Sequence, residues 1–290
     1  MSSTPPDWFT RAVNAPVESR YVEVEGTPIH YLAWNPGDTH KPGLLFAHGF
    51  RAHARWWSFI APFFLGRFRV AALDFAGMGD SGARPEYRTT LFAADILGVI
   101  KHAGFGKATL VGHSFGGGCT LVTCHRHSEH IERAVIIDSY LPLPEIELRD
   151  PRPPDQRAKR IYPTREAALA RFRLIPEQNR AAPYVLDYVA QHSIKQVEGG
   201  WTWKFHEDYK FVRRPIAEEA QLVGAALSGL RMPMTYIYGD HSAAIAREHA
   251  LAIVKRVPNG HGPVAIPESH HHVMLDQPLS LVSALRATLY

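Results

Sequence analysis

Five short, unbroken apolar runs constrain this chain most: GLLFAHG (43–49), FRVAALD (68–74), ATLVGHS (108–114), RAVIIDS (133–139) and MTYIYGD (234–240). Each is too short for a helix and lacks the alternation of a strand with one wet face. Each therefore reads as a strand buried on both sides, as in a parallel sheet. Helical stretches such as TLFAADILGVIKHAG and GGCTLVTCHRH lie between several of them. Strand, helix, strand repeated in this way predicts a doubly wound α/β fold with a mostly parallel sheet. Ahead of it, RYVEVEGTPIHYLAW alternates on each side of Gly26 and reads as a hairpin. At 290 residues, 46% of them hydrophobic, the chain can bury a large core.

Every run ends in a polar or glycine-containing group: His48-Gly49, Asp74, His113-Ser114, Asp138 and Gly239-Asp240. In an open α/β sheet, ligands bind beyond the carboxyl ends of the strands, so chemistry is expected at these endings. The alternation stops after Ser139 and resumes near Pro215. The residues between include TREAALARFRLI, APYVLDYVAQH and the aromatic EGGWTWKFHEDYK, too long a stretch for one bare loop. The expected organisation is a core of 1–139 and 215–290, with a helical cap (140–214) inserted after the sixth strand.

The formal net charge is +4, with charges of both signs interspersed, which argues against a nucleic-acid footprint. The span 149–173 is locally basic, through Arg149, Arg152, Arg157 and Lys159 among others, and offers a rim for anionic substrates. No apolar run reaches the roughly 18 residues of a membrane span, and the first residues lack the apolar core of a secretion signal. The two cysteines, Cys119 and Cys124, fall on one predicted helix. That places their Cα atoms about 8–9 Å apart, too far for a disulfide. A cytoplasmic protein is expected.

Gly112-His113-Ser114-Phe115-Gly116 follows a predicted strand and opens a predicted helix. A serine there sits on a sharp turn, exposed at the top of the sheet with a helix N-terminus facing it. The plain alternative is a glycine-rich structural turn. With LLFAHGF, LDFAGMGDSG and the C-terminal HHVMLDQP, four motifs stand in an order and spacing that resembles the α/β-hydrolase fold superfamily. The resemblance covers nearly the whole chain outside the insertion and implies a serine hydrolase with no metal or organic cofactor.

The resemblance also implies roles. Ser114 would be the nucleophile, and the backbone N–H groups of Phe50 and Phe115 the oxyanion hole. The family's histidine stands seven residues before the proline of the last helix, which from Pro278 selects His271, flanked by His270 and His272. His48, His113 and Asp74 take structural roles. The acid departs from the commonest pattern, a glycine followed three residues later by Asp, because Ser242 stands three after Gly239. Asp138, at the end of the sixth strand, is the first choice. One haloalkane dehalogenase group on this fold carries its acid there. Asp240 remains the alternative. Serine at 114 argues against epoxide hydrolases and haloalkane dehalogenases, which need an aspartate there. The expected reaction is carboxylic ester hydrolysis, with thioester, lactone or C–C bond hydrolysis by the same triad as alternatives. A non-catalytic binding protein on the same fold is the reading from another class. The partner would be a small molecule with a hydrophobic acyl or aromatic part, met by an aromatic mouth of Phe50, Trp56 and Trp57, with Trp201, Trp203 and Phe205 from the cap.

Overall fold

Alternate residues of the central strands serve two different cores, one on each face of the sheet. In the computed structural model, which describes residues 4–146, 148, 160–206, 209, 211 and 215–290, the elements run as follows. Helix α1 (Asp7–Val13) precedes β1 (Glu18–Val24), β2 (Thr27–Trp34), β3 (Gly43–Ala47), β4 (Arg69–Leu73), α2 (Thr89–His102), β5 (Ala108–His113), α3 (Phe115–Arg126) and β6 (Ile131–Ile137). Next come α4 (Arg165–Leu169), α5 (Pro183–His192), β7 (Ile194–Val197) and β8 (Gly200–Trp203). The chain closes with α6 (Ile216–Ser228), β9 (Met234–Gly239), α7 (Arg247–Arg256), β10 (Gly260–Ile266), α8 (Val273–Asp276) and α9 (Pro278–Leu289). Arg149, Arg152, Arg157 and Lys159 of the basic span lie outside the described residues.

The main sheet has eight strands in the order β1-β2-β4-β3-β5-β6-β9-β10. The pairs β1/β2 and β2/β4 are antiparallel and the others parallel. Leu45, Ala71, Leu110 and Ile136 point to the side packed by Phe92 and Ile96 of α2, Cys119 of α3, Leu227 of α6 and Ile253 of α7. Their neighbours Leu44, Val70, Val111 and Val135 point to the side packed by Phe9 of α1, Val185 of α5 and Leu281 of α9. Burial on both faces is the physical reason the runs carry no alternation. Cys119 and Cys124 are buried free thiols in α3.

Two elements differ from the sequence reading. Strand β10, GHGPVAI, lies at the sheet edge with most of its residues exposed or half-buried, so no apolar run marks it. The segment between β6 and α6 is not helical throughout: α4 and α5 are followed by the antiparallel hairpin β7/β8, which turns at Glu198 and Gly199. Trp201 of β8 exchanges both backbone hydrogen bonds with Tyr162, at 2.8 Å each. Alternating Trp-Thr-Trp around a buried Thr202 favours that extended pairing over a helix.

Candidate active site

Ser114 stands between the last residue of β5 and the first of α3, with φ 52° and ψ −119°. A non-glycine residue in that region stores strain, of order 1–3 kcal/mol, which the surrounding packing must hold. The flanking glycines explain how. A Cβ on Gly116 would lie 2.5 Å from the His48 carbonyl oxygen, and one on Gly112 would lie 2.5 Å from the Gly116 carbonyl oxygen. The start of α3 thus presses backbone to backbone against the ends of β3 and β5, and only a residue without a side chain fits.

Three consecutive histidines, His270, His271 and His272, form the loop before α8, and each commits Nδ1 to a different acceptor. His270 Nδ1 lies 3.0 Å from Asp276 Oδ2, and His272 Nδ1 lies 2.7 Å from Gln178 Oε1 in the inserted segment. His271 Nδ1 donates to Asp138 Oδ1 at 2.8 Å, while His271 Nε2 lies 2.9 Å from Ser114 Oγ. An ionised carboxylate only accepts, so in the neutral ring Nδ1 carries the proton and Nε2 accepts from the Ser114 hydroxyl. Asp138 is fully buried, with φ 44° at the end of β6, and its Oδ2 accepts from the Gly239 amide at 2.8 Å. Asp240 is exposed and does not face His271. Its Oδ1 accepts from the Ser269 amide at 3.2 Å.

The remaining sequence candidates fall around this line. The amides of Phe50 and Phe115 donate to no protein acceptor among the described residues. Their rings meet with centroids 5.7 Å apart, and Tyr209 packs 5.1 Å from Phe50. His48 accepts from the Phe75 amide through Nε2 at 3.1 Å and donates from Nδ1 to the Gly49 carbonyl at 2.7 Å. Burial pushes its pKa down despite the nearby Asp74, so the ring is a neutral strut of the loop after β3. His113 donates from Nε2 to the backbone carbonyl of His271 at 2.9 Å and ties the histidine loop to β5.

Of the aromatic residues expected at a mouth, Trp57 is fully buried and stacks on Phe46, 4.8 Å away. Its apolar surface is core packing, because the short helical turn that carries it folds back onto β3. Trp56 packs 5.3 Å from the His272 ring, and Phe205 lies under the Arg51 guanidinium at 4.8 Å. Trp203 packs within the insertion against Tyr162 and Phe172.

Sequence reasoning missed Gln178. Besides His272, it donates from Nε2 to Asp276 Oδ1 at 2.7 Å, joining the insertion to the His271 loop. Arg180 adds an ion pair to Glu268 of the same loop. On the other side, Lys204 pairs with Asp80 at 2.7 Å, and the Tyr209 hydroxyl and the His206 amide both donate to the Gly77 carbonyl, at 2.7 and 2.6 Å. Nothing local in the sequence marks these contacts, which join segments far apart along the chain.

A second serine–histidine–acid line exists. Ser19 Oγ lies 2.8 Å from His30 Nε2, and His30 Nδ1 lies 2.7 Å from Asp74 Oδ2. Ser19 sits within strand β1 and not at a helix start, so no ready oxyanion donors accompany it. His30, Asp74 and Asp80 are also the clustered set of potential metal ligands found among the described residues. Asp74 already accepts from the Ala54 and Asp80 amides at 2.5 and 2.9 Å, and Lys204 sits on Asp80. Burial would raise Asp74, yet the hydrogen bond and charge of His30, with smaller contributions from His48 and His53, hold it at about 2. The cluster is built to fold the loop after β4, and a cation would compete with Lys204.

A model of the alpha/beta hydrolase family matches residues 44–285. Epoxide hydrolase 4 of Mus musculus is 31% identical over 123 residues, covering 41% of this chain and 34% of that protein. Serine hydrolase-like protein of Danio rerio is 25% identical over 198 residues, covering 61% of this chain and 57% of that protein. The chain thus spans about a third of the length of the epoxide hydrolases it matches first. Among solved structures, the thioesterase domain from the curacin biosynthetic pathway has a TM-score of 0.76 at 22% identity, covering 93% of this chain and 99% of that one. An esterase from Mycobacterium tuberculosis has a TM-score of 0.71 at 21% identity, covering 99% of each chain. At these identities the likeness is one of fold.

Proposed function

The chain belongs to the alpha/beta hydrolase family, and from that premise we propose that it hydrolyses carboxylic esters through an acyl-serine intermediate. The observation that carries this reading is the unbroken line from Ser114 Oγ through both nitrogens of His271 to the buried Asp138, at 2.9 and 2.8 Å. A serine hydroxyl is a weak nucleophile at its free pKa and needs a base within hydrogen-bond reach.

Ser114 attacks the ester carbonyl while His271 Nε2 takes its proton. The Phe50 and Phe115 amides bind the oxygen that becomes negative. Each such donor is worth about 2.7–4 kcal/mol of barrier. His271 then gives its proton to the departing alkoxide, and water repeats the cycle on the acyl-serine. Asp138 keeps Nδ1 protonated and stabilises the imidazolium in both halves. The relatives named epoxide hydrolases do not extend their reaction to this chain, since opening an epoxide through an ester intermediate needs a carboxylate where Ser114 stands.

In this reading residues 140–214 form the cap over a core of 1–139 and 215–290. Their anchoring on the His271 loop and on the loop after β4, one on each side of Ser114, supports that role. The substrate is a small molecule whose hydrophobic acyl or aromatic part packs near Phe50, Phe205 and Trp56. No helix of the described residues is long and apolar enough to cross a membrane. The free thiols of Cys119 and Cys124 fit the reducing cytoplasm.

A fluorophosphonate probe tests the reading. It is expected to label the wild-type chain, with Ser114→Ala abolishing the label. A folded protein that takes no label would favour a binding protein on the same fold. Label persisting in Ser114→Ala would move the reactive serine elsewhere, with Ser19 the first place to look.

A further inference from the structure

Ser242 has no part in the scheme above, yet its hydroxyl reaches the acid. After β9 the chain turns, with the Ser242 amide donating to the Gly239 carbonyl at 3.0 Å. The turn brings Ser242 Oγ to 2.7 Å from Asp138 Oδ1, and the Ala244 amide donates to the same hydroxyl at 3.1 Å. A hydroxyl that accepts from an amide directs its one proton elsewhere, here onto the carboxylate. Asp138 therefore receives Ser242 O–H and His271 Nδ1–H on Oδ1, and Gly239 N–H on Oδ2.

We propose that Ser242 is a positioning residue of this site, whose hydroxyl fixes the orientation of Asp138 and draws charge from Oδ1, so setting how strongly the acid holds the protonated form of His271. The proposal rests on the ester-hydrolase reading for its kinetic consequence, though not for its geometry. Asp138 leaves β6 with a left-handed backbone, φ 44°, so its carboxylate depends on outside donors for its aim. Of the two side chains that meet Oδ1, one is the base itself, and the other is Ser242.

Removing the hydroxyl has a definite sign. A carboxylate with one donor fewer concentrates its charge on Oδ1 and so favours the imidazolium form of its partner. The other groups facing this pair do not change with the variant. The rings of His113 and His272 each lie 4.9 Å from that of His271. Burial holds His113 well below its ordinary value and His272 at about 3, so both are neutral. The Tyr236 phenol, pushed up by burial and by Asp138, stays protonated. Asp276 is turned to His270 and Asp240 to Ser269. Asp138 is the charge that sets the base, and Ser242 modulates it.

The test is para-nitrophenyl butyrate hydrolysis by the wild type, Ser242→Ala and Ser242→Thr across about pH 5–9, with the Nδ1 proton resonance of His271 followed by NMR. Ser242→Ala is expected to lower kcat about tenfold with KM nearly unchanged, and to move the acidic limb of kcat/KM up by about half a pH unit. Ser242→Thr, which keeps the hydroxyl, recovers most of the loss. In Ser242→Ala the Nδ1 resonance moves. A tenfold loss with an unmoved limb would mark a merely structural residue and overturn the proposal, as would unchanged kinetics. Absence of ester turnover in the wild type would refute the ester reading instead. The NMR signature then decides Ser242 alone: an Nδ1 resonance unmoved in Ser242→Ala overturns it, and a shifted one upholds it.

Discussion

Asp138 Oδ1 and His271 Nδ1 lie 2.8 Å apart although 133 positions separate them along the chain. The contact crosses from the end of β6 to the loop before α8, over the end of β9. It makes the acid the point at which variants discriminate most sharply.

Asp138→Asn is expected to lower kcat for an aryl ester by about 10³–10⁴-fold, because an amide can donate to the imidazole and so favour the wrong tautomer. Asp240→Asn is expected to stay within about threefold of wild type, since Asp240 is exposed and an asparagine oxygen still accepts from the Ser269 amide. Steady-state kinetics on the two variants checks this. The reverse ranking would assign the acid to Asp240.

Because Ser242 Oγ and His271 Nδ1 meet the same oxygen of Asp138, a carboxylate at 242 reaches toward the same imidazole. The double variant Asp138→Asn/Ser242→Asp is expected to regain at least about tenfold over Asp138→Asn alone. A double variant no better than the single would show that the end of β9 cannot present an acid to His271.

The glycines of the serine turn separate steric need from helix propensity. Gly116→Ala would drive a Cβ into two backbone carbonyls and is expected to cost about 1–3 kcal/mol or more, with loss of probe labelling. Gly118→Ala, two residues further along the helix and facing open space, is expected to stabilise the protein by about 0.5–1 kcal/mol. Urea unfolding of both variants reads the difference. Equal effects would remove the close-approach explanation.

Burial holds His53 at about 3, with its Nε2 2.9 Å from Ser193 Oγ of the insertion. The unfolded chain takes up this proton near pH 6.5 and the native one does not, so stability rises with pH between about 3 and 6.5 and is lost on acidification through that window. At about pH 5.5 one such group costs about 1.4 kcal/mol relative to pH 8. His53→Gln, which keeps a donor toward Ser193, is expected to melt with a shallower dependence on pH. Thermal melts at the two pH values that show the same slope for both proteins would discount the histidine.

Gln178→Ala removes partners from His272 and from the buried Asp276 at once. It is expected to cost about 1–3 kcal/mol of stability and to lower kcat through a looser His271 loop. Calorimetry together with ester kinetics reads both effects. Full activity would show that the insertion does not brace the histidine.

The fold was legible because its signal is local. A strand covered on both faces must be apolar throughout, so β3, β4, β5, β6 and β9 announce themselves, whereas β10, half-exposed at an edge, does not. The hairpin β7/β8 was hidden among helical pieces, since short alternating aromatics carry little periodicity of their own. Ser114 was equally readable, because the residues that permit its strained turn are its immediate neighbours in the chain. What the sequence left open was the choice of acid. Asp138 and Asp240 close adjacent strands, and which of them meets His271 depends on backbone twist at the strand end and on how a distant loop lies across it. By itself the sequence determined the doubly wound sheet and the serine at its carboxyl edge. The tertiary structure alone put Asp138 against His271, aimed it with Ser242, and braced the histidine loop with Gln178. Those contacts form between segments that only folding brings together, where no spacing along the chain can specify direction.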